Sequence, residues 1–76
     1  MRFFAKCAYD VAVCLDDGTM TVRHLSPGEM ICPAAPVVMP VDDGSDSTID
    51  IVQYGMTLIN VPLEVLDVEE TGVSCN

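Results

Sequence analysis

Seventy-six residues allow a single domain, and at that size a chain buries only about 60% of the surface it exposes when unfolded, so its core is marginal. Twelve acids against three Lys and Arg give a net charge of −9, which argues against nucleic acid or an anionic membrane as ligand, since both select basic surfaces. Half of the residues are hydrophobic, more than one small core can hold, and this predicts a homo-oligomer that covers the remainder.

Residues 2–9 read as a strand, with Phe3, Ala5, Cys7 and Tyr9 on one side and Phe4, Lys6 and Ala8 on the other. The alternation continues through residues 10–15, where Val11 and Val13 oppose Ala12 and Cys14. Asp16, Asp17 and Gly18 then have the chemistry of a tight hairpin turn, with Gly18 accepting a positive φ. On the return strand, residues 19–25, Met20, Val22 and His24 share one side and Thr19, Thr21 and Arg23 the other.

Ser26, Pro27 and Gly28 predict a type II turn, since Pro27 presets φ and Gly28 suits the left-handed position after it. A brief strand at residues 29–32 follows. Pro33, Pro36 and Pro40 lack amide donors, so the apolar segment between them is expected at an edge or packed across an open end of the fold. Asp42, Asp43, Gly44, Ser45, Asp46 and Ser47 read as a polar loop. Residues 48–54 alternate again until Gly55, residues 56–61 form a buried strand, and residues 63–68 a last one, with a 3₁₀ turn near Pro62.

No segment holds a helical period. Five or six short antiparallel strands imply a mainly β fold, a small barrel or sandwich of SH3-like or OB-like shape, with at most one 3₁₀ turn. Residues 1–70 are expected to form this one domain and residues 71–76 a frayed polar tail.

Cys7, Cys14, Cys32 and Cys75 have no metal-site spacing, and Lys6 and Asp10 interrupt the apolar N-terminal stretch before a secretory core could form. A reducing, cytoplasmic setting is the expectation, with Cys7, Cys14 and Cys32 buried as small hydrophobes. No apolar run is long enough to span a bilayer.

The carboxylates of residues 42–50 are the most site-like cluster, yet they miss the Ca²⁺ loop pattern: Asp42 and Asp43 are adjacent and the closing Glu is lacking. His24 is the chain's single histidine. A Cys14–His24 nucleophile pair is placed at different heights of the hairpin, and adjacent carboxylates on a strand diverge. The expectation is therefore a non-enzymatic protein without metal or cofactor.

The charge is polarised: Arg2, Lys6 and Arg23 precede residue 24, and nine acids with no Lys or Arg follow. This pattern predicts a partner with a basic surface, met by Asp42, Asp43, Asp46, Asp50, Glu64, Asp67, Glu69 and Glu70. On a rigid β scaffold this polarity suggests an inhibitor that occupies a basic groove normally used by nucleic acid; the small acidic proteins of phages and other mobile elements are similar in size and charge only, with no shared motif. Two other readings stand beside it. One is a structural or assembly subunit, homo-oligomeric or of virion type, using residues 33–41 and the adaptable Met30, Met39 and Met56; the other is an oligomer that sequesters a small anionic ligand with Arg2, Lys6, Arg23 and His24.

Overall fold

A computed structural model describes residues 1–40 and 47–69. Residues 41–46 and 70–76 lie outside that description, and with them the expected polar loop, the tail, Asp42, Asp43, Asp46, Glu70 and Cys75. The fold is mainly β: seven antiparallel strands in two sheets, with a single 3₁₀ turn among the described residues. The sheets are open and packed together as a sandwich; they do not close into a barrel.

In chain order the strands are β1 (Arg2–Ala5), β2 (Tyr9–Leu15), β3 (Met20–Leu25), β4 (Met30–Ile31), β5 (Thr48–Gln53), β6 (Met56–Pro62) and β7 (Leu66–Glu69), with the 3₁₀ turn Leu63–Val65 before the last. One sheet has the order β4-β1-β7 and the other β3-β2-β6-β5. The chain therefore passes between sheets three times between its first strand and its sixth, and the two inner faces share one interior. That interior takes Phe3, Ala5, Ile31 and Leu66 from the smaller sheet, Val11, Val13, Leu25, Ile49, Ile51, Leu58 and Val61 from the larger, and Val65 from the 3₁₀ turn. Alternation along each strand produces this set, because every second side chain faces inward.

Two turns follow their residue chemistry. Gly18 has φ 89° and its N–H donates to the Leu15 carbonyl, while Leu15 N–H donates to the Thr19 carbonyl. Asp17 accepts hydrogen bonds from the Thr19 hydroxyl and N–H, which hold its carboxyl below the usual aspartate range. At the second turn Gly28 has φ 82° and Glu29 N–H closes the four-residue loop onto the Ser26 carbonyl at 3.0 Å.

Three local expectations change. The first strand does not run through residue 9: the chain leaves β1 at Lys6 and re-enters a different sheet at Tyr9, so Cys7 sits on an exposed turn and is not a buried thiol. Cys14 and Cys32 are half-buried free thiols. The last strand is shorter than residues 63–68, because Leu63, Glu64 and Val65 are spent on the 3₁₀ turn.

The remaining irregularity lies in β6, where Asn60 adopts φ 54° at a register shift opposite Ile49 and Ile51. The extra residue kinks the strand, and the Asp50 carboxylate accepts the Asn60 N–H at 2.9 Å. Asn tolerates this left-handed backbone better than any β-branched neighbour would. The proline segment behaves as an edge element: Ala34 N–H donates to the Val52 carbonyl of β5 at 2.7 Å, and Val37 and Met39 pack against the core.

Candidate functional site

Of the eight acids expected to face a partner, four are described, and they divide between two tasks. Glu69 lies opposite Arg2 on the β1–β7 ladder, and its Oε1 accepts hydrogen bonds from Arg2 Nε and Nη2 at 3.0 and 2.6 Å. The same guanidinium lies over the Phe4 ring, 5.6 Å from its centre. Asp67 is 3.8 Å from the Lys6 ammonium. Asp50 secures the Asn60 bulge in the other sheet, and Glu64 is exposed on the 3₁₀ turn. The described acids thus occupy both sheets and the turn between, and two of them are internally neutralised.

Among the described residues, the densest side-chain hydrogen-bond cluster joins Arg23, expected only as an anion-binding group, to Glu29 and Gln53, which were not among the expected site residues. Arg23, on the inner side of β3, donates from Nη2 to Glu29 Oε2 at 2.6 Å and from Nη1 to Gln53 Oε1 at 2.7 Å. Glu29 Oε1 in turn accepts the Ser26 N–H at 2.9 Å. The Ser26 bond, then Arg23, hold the Glu29 carboxyl below the usual glutamate range. Gln53 completes the chain by donating to the Cys32 carbonyl at 3.4 Å. Because Arg23 and Gln53 belong to the first and last strands of the four-stranded sheet, that sheet curls until side chains of its two edges meet. A sequence signal for Glu29 was present in its place directly after a Pro-Gly turn, but its partners depend on which side of β3 faces inward.

The inward side of β3 is the polar one. The ladder pairs Val11 with Arg23 and Val13 with Thr21, so the buried valines of β2 fix the facing, and Met20, Val22 and His24 turn outward. There His24 Nδ1 lies 2.7 Å from Asp10 Oδ1 at the surface. Cys14 pairs with Met20 and His24 with Asp10, which keeps the Cys14 thiol and the His24 imidazole at separate heights of the same face.

Beyond the His24–Asp10 pair the outer face is mixed, with apolar side chains set among Cys14, Thr57, Thr48 and Asp50. Val22 sits beside Ala12 and Ala12 beside Ile59; Met20 sits beside Cys14, Cys14 beside Thr57, and Thr57 beside Val52. Met20 is 57% exposed and Val22 66%. Elsewhere, a shallow groove of about 280 Å³ is lined by Met1 and residues 33–37. Val38, just beyond it, is 90% exposed.

Among the described residues no group of three His, Cys, Asp or Glu is placed to hold a metal ion, and no helix is long and apolar enough to cross a membrane. The chain matches no known protein family, no curated protein and no solved structure.

Proposed function

We propose that this chain is a non-enzymatic protein-binding domain that presents carboxylates to a basic surface of its partner, as an inhibitor filling a nucleic-acid-handling groove would. The observation that carries the reading is the fate of the cations. Arg2, Lys6 and Arg23 are all the Lys and Arg the chain has, and each lies in an ion pair with an acid of its own fold. Their charge is spent internally, and nine acids remain to set the exterior field. A field of that sign steers basic partners and repels phosphate backbones. The free thiols of Cys7, Cys14 and Cys32 suit a reducing, cytoplasmic setting.

The test is an affinity capture run in parallel with wild-type protein and a variant carrying Asp42→Asn, Asp43→Asn, Asp46→Asn and Glu64→Gln, which keeps shape and removes charge. The wild type is expected to retain proteins with basic, nucleic-acid-handling surfaces that the variant loses. Identical retention by both chains speaks against the proposal.

A second reading, self-association as an assembly subunit, is favoured by one specific observation: the outer face of the four-stranded sheet carries Met20, Val22, Ala12, Ile59 and Val52 towards solvent. Contiguous apolar surface on a protein this small marks a contact site more often than a solvated face. The two readings are compatible, since one uses the acids and the other the apolar side chains of this face. The third, capture of an anionic ligand, loses support because Arg2, Lys6, Arg23 and His24 all face acids within the fold.

A further inference from the structure

The chain has four aromatic rings of the Phe and Tyr type, and no Trp. Phe3 is fully buried, Tyr9 packs against the core, and Phe4 lies half-buried beneath the Arg2 guanidinium. Tyr54 is the exception: it is 92% exposed, on the turn between β5 and β6. Nothing in the fold asks for an aromatic residue there. Gly55, with φ 80°, makes the turn, and the position before it accepts most residue types. A ring held in water forgoes the stabilisation that burial gives, whereas Tyr and Arg are the residues that most often dominate the energy of a protein contact.

The Tyr54 turn does not stand alone. Leu15 of β2 pairs with Met56 of β6, and the Asp16 N–H donates to the Gly55 carbonyl at 3.2 Å. The β2–β3 and β5–β6 turns therefore form one end of the four-stranded sheet, with the exposed Asp16 and Asp17 beside the exposed Tyr54. Asp17 accepts the Thr19 N–H at 2.9 Å, while no described residue hydrogen-bonds or ion-pairs with the Asp16 carboxylate.

The smaller sheet shows what a ring and a carboxylate hold when they are neighbours. There the Arg2 guanidinium lies 5.6 Å from the centre of the Phe4 ring while its Nε and Nη2 donate to Glu69 Oε1. A planar cation uses the negative π face and the carboxylate together. The two-turn end has the ring and the carboxylates without the cation, and the chain has none to give: Arg2, Lys6 and Arg23 lie against Glu69, Asp67 and Glu29, and His24 against Asp10.

We propose that this end of the sheet receives an arginine side chain of the partner protein, its guanidinium over the Tyr54 ring and hydrogen-bonded to Asp16. The proposal rests on the reading of a partner with a basic surface and supplies the chemistry of one contact. Charge selects the occupant, since a chain of net charge −9 disfavours a second copy and any acidic segment. Shape selects arginine over lysine, because an ammonium is a point charge with no plane to lie on the ring.

Titration of the full chain with hexa-arginine, followed by heteronuclear NMR, tests the site, with hexa-lysine as the probe of equal charge. Hexa-arginine is expected to give its largest shifts at Tyr54, Gly55, Asp16 and Asp17. Tyr54→Ser is expected to weaken its Kd about two- to fivefold at unchanged Tm, and Asp16→Asn to weaken it as well. Hexa-lysine is expected to bind more weakly and to leave the Tyr54 ring signals in place. Hexa-arginine binding that leaves those signals unmoved, or equal affinity for wild type and Y54S, overturns the site while the basic-partner reading stands. Equal displacement of the ring signals by hexa-lysine overturns the arginine assignment. Failure of both peptides to bind overturns the site and the basic-partner reading together. Should Y54S fail to fold, the Tyr54 ring signals of the wild type decide between these outcomes.

Discussion

Replacing Glu29 by alanine isolates the contribution of the Arg23–Glu29–Gln53 cluster. The substitution removes the acceptor of the Ser26 N–H and one of two acceptors of the Arg23 guanidinium, while the Gln53 bond survives. Both ionic side chains are about 30% exposed, so the ion pair is discounted to about 0.5–1 kcal/mol. The turn hydrogen bond adds a similar amount, about 0.5–1 kcal/mol. The expected loss is therefore about 1–2 kcal/mol, against a total stability of about 4–11 kcal/mol for a chain of this length. For a domain of this size that corresponds to a fall in Tm of roughly 5–15 °C.

Urea unfolding of wild type, E29A, Arg23→Met and the double variant measures the loss and the coupling between the two side chains, about 0.5–1 kcal/mol. The same cluster sets a pH dependence. Because folding lowers the Glu29 pKa, its charge contributes stability above the unfolded glutamate value, and that contribution is lost as pH falls through the folded value. The stability gap between wild type and Glu29→Gln is thus expected to narrow below about pH 4.5. An E29A chain as stable as wild type, or a gap that is constant from pH 7 to pH 3, would refute the reasoning.

Two further substitutions probe the interior and the bulge. Leu58 is fully buried on β6, opposite Val13 and Ile51; Leu58→Ala is expected to cost about 3–5 kcal/mol in urea unfolding, and Leu58→Met less than about 1.5 kcal/mol. Asn60→Val places a β-branched residue at φ 54° and should cost about 1–2 kcal/mol by thermal unfolding, whereas Asn60→Gly should be close to neutral.

What the sequence disclosed follows from which interactions are local. The turns at Gly18 and Gly28 were legible because each residue in them acts on its immediate neighbours. The 3₁₀ turn after Pro62 was legible for the same reason. The facing of β3 was not: alternation separates Met20, Val22 and His24 from Thr21 and Arg23 without telling which group turns inward, and partners on β2, Glu29 and Gln53 decide it. The step between sheets at residues 6–8 carries no Gly or Pro, so nothing local marked it. The Asn60 bulge had one signal, an Asn within an apolar run.

The candidate site was legible as composition and less so as geometry. The predominance of acid after residue 24 is plain in the sequence, but the Arg2–Glu69 and Lys6–Asp67 pairs exist only because β1 and β7 are ladder neighbours, although they lie at opposite ends of the chain. Asp50 could not be read as a bulge acceptor before the bulge was known.

The central claim is that unneutralised carboxylates, not catalysis, bring this protein to its partner. The direct measurement is the Kd of the captured partner across a salt series from about 50 to 500 mM, for wild type and the charge-removed variant. The account predicts wild-type affinity that falls steadily with ionic strength and a variant that is weaker and has a shallower salt dependence. Equal, salt-insensitive affinity for both chains would contradict it.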